Sequence, residues 1–130
     1  MKNEIVETVR RELLTTRGLR TLTPNHPEYR PFCEGDVVSR DLAIHQGTVH
    51  PWLLGAFSEA YLRLHEKAGI SFIKKLYSEF ENVMSTDGIS SISEIYDGNP
   101  AHEGRGAISS ACNVGEILRI KTLFESYEKI

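Results

Sequence analysis

The side chains able to do chemistry are gathered in two polar stretches. Residues 34–52 hold Glu34, Asp36, Arg40, Asp41, His45, Gln46 and His50, with Tyr29 and Trp52 beside them. Residues 94–105 hold Glu94, Asp97, Asn99, His102 and Arg105, with Tyr96 among them. Carboxylates and amides mixed with aromatic rings suit a sugar. Hydroxyls take paired donors and acceptors, and pyranose faces stack on rings. Glu94 is flanked by Ile92 and Ile95, a setting that could hold a carboxylate as a general base. A solvated loop has the same composition. His45, His50 and His102 with Asp41 or Glu94 could bind a metal, but no compact ligand spacing such as His-x-x-x-His is present. Cys112 with a histidine could be a nucleophile pair. Its place at the start of an apolar helix suits a small buried filler better. Gly104-Arg105-Gly106 is too short for a phosphate loop, and Lys74-Lys75 read as a solvated face.

Four helical patterns must position these residues. Ile5, Val6, Val9, Leu13 and Leu14 predict a helix over residues 3–14, with Asn3 as its cap and Gly18 as its stop. Leu53, Phe57, Ala60, Tyr61 and Leu64 predict a second from Pro51 or Trp52 to Lys67, ended by Gly69. Phe72, Ile73, Leu76, Phe80, Val83 and Met84 predict a third from Ser71, as cap, to Met84, closed by Asp87-Gly88. Val114, Ile117, Leu118, Ile120, Leu123, Phe124 and Tyr127 predict a fourth from Ser109 or Ser110 towards Tyr127. Its apolar surface is wide enough for burial on more than one side.

Between them lie two long segments read as non-helical, residues 19–49 and 89–108. Pro24, Pro27 and Pro31 break the first. Its scattered Leu19, Leu22, Tyr29, Phe32, Val37, Val38 and Leu42 predict a packed, ordered loop, and loops of this length are commonly functional. The second and third helices are joined by about three residues, an antiparallel hairpin. The long loops then emerge together at the other end, as a working face.

The chain has 130 residues, enough for one domain with one core. A hydrophobic fraction of 40% and a charged fraction of 25% are those of an ordinary globular protein. The net charge of -3 excludes nucleic-acid binding by bulk electrostatics. No apolar run approaches the roughly 20 residues that span a bilayer, so no membrane role is expected. The charged amphipathic start does not read as a signal peptide. Cys33 and Cys112 lack metal-type spacing and fit free thiols in a reducing cytoplasm.

Several sequence words, in order, carry a resemblance. They are Gly18-Leu19-Arg20-Thr21-Leu22 with Pro24, Pro27 and Tyr29-Arg30; Glu34-Gly35-Asp36; and Ser39-Arg40-Asp41. His45-Gln46-Gly47-Thr48-Val49 with Pro51-Trp52 follows, then Ser93-Glu94-Ile95-Tyr96-Asp97-Gly98 with Pro100 and His102. Together they resemble the C-terminal part of glycogen-debranching amylo-α-1,6-glucosidases, over nearly the whole chain. The resemblance implies an all-α fold, a partial (α/α)6 toroid of helical hairpins of the glucoamylase-like type, with two long ordered loops on one face. Residues 1–130 would be a single domain, the C-terminal fragment of the six-hairpin ring.

The implied reaction is inverting hydrolysis of α-1,6-linked glucose in glycogen breakdown. One carboxylic acid protonates the leaving oxygen and a second carboxylate activates water, about 6.5–9.5 Å away. Glu94 matches the family's general base. Asp41, His45, Gln46, His50, Asp97 and His102 fall at the substrate pocket, with Trp52 supporting it from behind. No cofactor or metal is implied. The family's acid sits in a Thr-Trp-Met-Asp word well upstream, and these residues contain none. Activity is therefore expected only with residues outside this chain, and a non-catalytic carbohydrate-binding or interaction remnant is the alternative. Four positions depart from the family pattern: His50 and Cys112 stand where tryptophan is usual, Ile44 where tyrosine is, and Ser110 where glutamine is. The expected partners are an α-glucan or oligosaccharide, and either a second copy of the chain or the missing N-terminal part, because an incomplete ring would expose apolar helix faces.

Overall fold

A computed structural model describes residues 1–86 and 89–130. The strongest helical periods become the helices that carry the core. α3 (Leu53–His65), α4 (Ile70–Thr86) and α5 (Ala111–Glu128) bury Leu54, Leu62, Ile73, Phe80, Val83, Ile117 and Ile120 almost completely. Each such side chain contributes about 2 kcal/mol of transfer free energy. α5 packs against both α3 and α4, as its broad apolar surface predicts. A 3-10 turn, Glu66–Gly69, joins α3 to α4, so Ser71 lies inside α4 rather than capping it. The stop expected at Asp87-Gly88 lies outside the described residues. Among the described residues, no helix is long and apolar enough to cross a membrane.

The first helix is shorter than its pattern. α1 (Lys2–Glu12) begins after Met1, with no side-chain cap from Asn3. Its end is decided by strand pairing. Leu14–Thr15 (β1) and Gly18–Arg20 (β2) form an antiparallel hairpin, with Leu14 opposite Leu19 and Thr15 opposite Gly18. Gly18 therefore stands in a strand, at φ +133°, and does not end the helix.

That hairpin opens a five-stranded antiparallel sheet. The sheet adds β3 (Val49–His50), β4 (Ile95–Tyr96) and β5 (Gly104–Arg105) in the order β1-β2-β3-β4-β5. The all-α expectation of a partial (α/α)6 toroid is thereby overturned: the fold is mixed, helices packed with an antiparallel sheet. The physical reason is length. A strand of two or three residues cannot show a two-residue alternation, and the partners that define it lie far along the chain. Val49 and Tyr96, directly paired, are fully buried and tie the sheet to the helical core.

The first long segment also contains a helix, α2 (Val37–His45). Asp36 caps it by accepting the Ser39 N–H at 2.7 Å. α2 buries only Ala43, so it carries no apolar stripe to read. Val37 and Val38 are 71% and 68% exposed, against the expectation that they help pack the loop. Backbone and hydroxyl hydrogen bonds hold the segment instead. Thr21 N–H donates to Thr48 O at 3.0 Å and Arg30 N–H to Gln46 O at 2.7 Å. Gly98 N–H donates to Pro31 O at 2.7 Å, and Tyr29 Oη to Asn99 Oδ1 at 3.0 Å. Three loops cross there at close range. A Cβ at Gly98 would collide with Gly47 O and stand 2.5 Å from Tyr29 Oη.

Candidate functional site

The pairing of β3 with β4 brings the two polar stretches together. Val49 faces Tyr96 on the core side. Continuing the register sets His50 beside Ile95, and Ile95 faces Arg105 of β5. His50, Ile95 and Arg105 form one row across the sheet and all line a cleft of about 570 Å³. α2 supplies Arg40 and Ile44, the loop before it Cys33, and the start of α3 Trp52. Glu94, Gly106 and the first turn of α5 at Ser110, Cys112 and Asn113 complete the wall.

Glu94 stands at the entry to β4. Its backbone N–H donates to Ala107 O at 2.8 Å, and its Oε2 accepts from Ala107 N–H at 2.9 Å. Gly106, at φ +67°, leaves the space this needs, since a Cβ there would stand 2.5 Å from Glu94 Oε2. Ile92 and Ile95 are buried but the glutamate itself is exposed, so its neighbours do not enclose the carboxylate.

His50 is half-buried, and burial holds its imidazole below the usual histidine range. Its Nε2 lies 3.1 Å from Ile44 O. A carbonyl only accepts, so the neutral ring carries its proton on Nε2 and leaves Nδ1 as an acceptor. Trp52 is 45% exposed and faces the cleft, rather than supporting it from behind. Cys112 is exposed on the same wall, not a buried filler. Cys33 is partly buried there, and burial pushes its thiol up.

The other sequence-predicted residues lie elsewhere. Asp97 is buried, and its carboxylate is consumed within the protein. Arg105 Nε and Nη2 donate to Oδ2 at 3.0 and 2.9 Å, and Cys33 N–H donates to Oδ1 at 3.1 Å. That pairing holds the Arg105 guanidinium above its ordinary value. His102 accepts φ +57° and sets Nδ1 2.8 Å from Asp97 O. Asp97 and His102 border a second hollow of about 220 Å³, which shares Arg105 with the main cleft. Asp41, His45 and Gln46 line neither space. The candidate metal set is dispersed: His50 lines the main cleft, His102 the second hollow and His45 neither.

Sequence reasoning missed Asn113. It is 1% exposed and makes three side-chain hydrogen bonds. Its Nδ2 donates to Ser93 O at 2.8 Å and Glu94 O at 2.9 Å, and its Oδ1 accepts from Trp52 N–H at 3.1 Å. A signal was present. Asn113 precedes Ile117 and Ile120 by four and seven residues, on the buried stripe of α5, where a polar side chain must find partners.

The sequence profile of the amylo-alpha-1,6-glucosidase family matches residues 1–119. The chain belongs to that family. No curated protein matches it. The match runs from α1 into α5, so both halves of the cleft fall within the amylo-alpha-1,6-glucosidase region. All four positions that depart from the resembled pattern, Ile44, His50, Ser110 and Cys112, line the main cleft.

Proposed function

We propose that the main cleft binds an α-glucan or oligosaccharide and that Glu94 acts there as the general base of an inverting α-1,6-glucosidase. The observation that carries the reading is the convergence of Glu94, the exposed Trp52 ring and all four departing positions on one cleft of a family member. Glu94 Oε2 is fixed by Ala107, while Oε1 has no hydrogen-bond partner among the described residues and is open to take a proton from water. His50 Nδ1, Arg40 and Arg105 offer polar contacts to hydroxyls, and Trp52 with Ile95 and Ile44 offers apolar wall. Asp41 lies within α2, His45 and Gln46 end it before β3, and none of the three lines the cleft, so they are not assigned a sugar contact.

Glu94 is the only carboxylate lining this cleft among the described residues. The general acid must then come from residues outside these 130, in line with the absent Thr-Trp-Met-Asp word. The same observation favours a second reading, a carbohydrate-binding module without catalysis. The two separate by glucose release from a branched limit dextrin, by the chain alone and mixed with a polypeptide carrying the family's acid. Activity that returns on mixing and vanishes in Glu94→Gln supports hydrolysis. No release in either case, with maltooligosaccharide binding intact, supports the binding module. Free Cys33 and Cys112 support a reducing, cytoplasmic setting. Exposed Ile5 and Leu64, which border one groove between α1 and α3, support self-association.

A further inference from the structure

Glu94 stands at the entry to β4 and Trp52 at the start of α3, far apart along the chain, yet a sugar site needs them in fixed relation. Trp52 precedes α3, and its N–H is one of the donors that a helix start leaves without an intrahelical partner. Ser93 and Glu94 precede β4, and Glu94 N–H is taken by Ala107. Their carbonyls, Ser93 O and Glu94 O, point instead into the gap between β4 and α5. One side chain answers all three groups. Asn113 Nδ2 donates to both carbonyls and Asn113 Oδ1 accepts the Trp52 N–H. Two carbonyls and one N–H fit the amide in one orientation only, which fixes its O and N. Asn113 is held in turn at the first turn of α5, where its own N–H donates to the Ser110 Oγ cap at 3.4 Å.

We infer that Asn113 is the positioning residue of the cleft, locking the backbone beneath Glu94 to the backbone of Trp52 so that the carboxylate and the stacking ring are set by one amide. This rests on the proposed reading of Glu94 and Trp52 as parts of one sugar site. Asn113 itself reaches no reacting atom. No other side chain offers both two donors and an acceptor at this size, so neither alanine nor aspartate reproduces it. Aspartate is informative for that reason. Its carboxylate would face two carbonyl oxygens in a buried site, which raises its pKa. Once protonated, it donates to one carbonyl and accepts the Trp52 N–H, a partial replacement for the amide.

Trp52 is the only tryptophan in the chain, so its emission reports the cleft directly. Maltotriose titrations followed by Trp52 fluorescence, normalised to the folded fraction, test the inference. Asn113→Ala should bind about tenfold or more weakly at every pH, the loss expected when supporting groups shift. Asn113→Asp should bind weakly at high pH and recover as pH falls towards the affinity of wild type measured at the same pH, a ratio from which the titration of His50 in the cleft drops out. A residue that merely filled space would give no recovery. Wild-type affinity in Asn113→Ala, or an Asn113→Asp that stays weak at every pH, overturns the inference. If the wild-type chain binds no maltotriose, the sugar reading falls by itself. Hydrogen exchange then still decides the positioning: Asn113→Ala should lose protection at the Trp52 amide while the α5 amides beyond Ile117 keep theirs. Unchanged protection at Trp52 overturns it.

Discussion

Replacing Asp97 with asparagine separates a structural aspartate from a ligand-binding one. The carboxylate is 2% exposed and accepts from Arg105 Nε at 3.2 and 3.0 Å, from Arg105 Nη2 at 2.9 Å and from Cys33 N–H at 3.1 Å. Asparagine keeps the shape and one acceptor, so the Cys33 bond survives. It also turns an NH2 towards a guanidinium that can only donate. Removing one partner of a buried pair costs about 3–5 kcal/mol. The Arg105 side chain is 29% exposed and keeps Glu103 at 3.3 Å, which places the cost at the low end, about 3 kcal/mol. For a chain of this size that is a fall in Tm of roughly 10 °C. Urea unfolding followed by far-ultraviolet circular dichroism reads the loss. Arg105→Met should remove much of the penalty, so that Asp97→Asn with Arg105→Met is less destabilised than the two single changes summed. A loss under about 1 kcal/mol in Asp97→Asn, with oligosaccharide affinity abolished, would refute the reasoning and return Asp97 to the ligand.

Gly98→Ala should cost about 2 kcal/mol or more, since its Cβ meets the Gly47 carbonyl and the Tyr29 hydroxyl where three loops cross; a thermal midpoint equal to wild type would count against that crossing. Burial holds His50 below its ordinary value of 6.5, so the unfolded chain takes up the proton first as pH falls. Stability is then full above that value and declines as pH drops below it towards the folded value. His50→Gln should remove this acid-side decline, and equal losses in the two proteins between about pH 7 and pH 5 would show that another group is responsible. Sedimentation should find a dimer or larger species that Ile5→Lys with Leu64→Lys dissociates, and a monomer at every concentration would end the proposal of self-association.

The helices that carry the core were legible because each buries a stripe at helical spacing. Ile73, Phe80 and Val83 of α4 need no partner to declare themselves, nor do Ile117, Ile120 and Phe124 of α5. α2 was hidden because it buries only Ala43, although Asp36 three residues before Ser39 was a readable cap. The boundaries that failed did so at competing partners. Leu14 fits the stripe of α1 equally well, but pairs with Leu19. Glu94, His50 and Trp52 were found through residue type and family words, and the cleft contains them. Asp97 and His102 come from the same word, yet the structure gives Asp97 to Arg105 and sets His102 in the adjoining hollow.

The sequence by itself determined the family and the main helices, because periodicity and motif words are local properties of the chain. Tertiary structure alone decided the sheet and the site's interior. Strands of two or three residues exist only through partners such as Val49 and Tyr96, nearly fifty positions apart. Asn113 holds Glu94 and Trp52 by hydrogen bonds whose partners no window of sequence contains. Long-range pairing of backbone groups leaves no compositional trace, since every residue carries the same N–H and C=O.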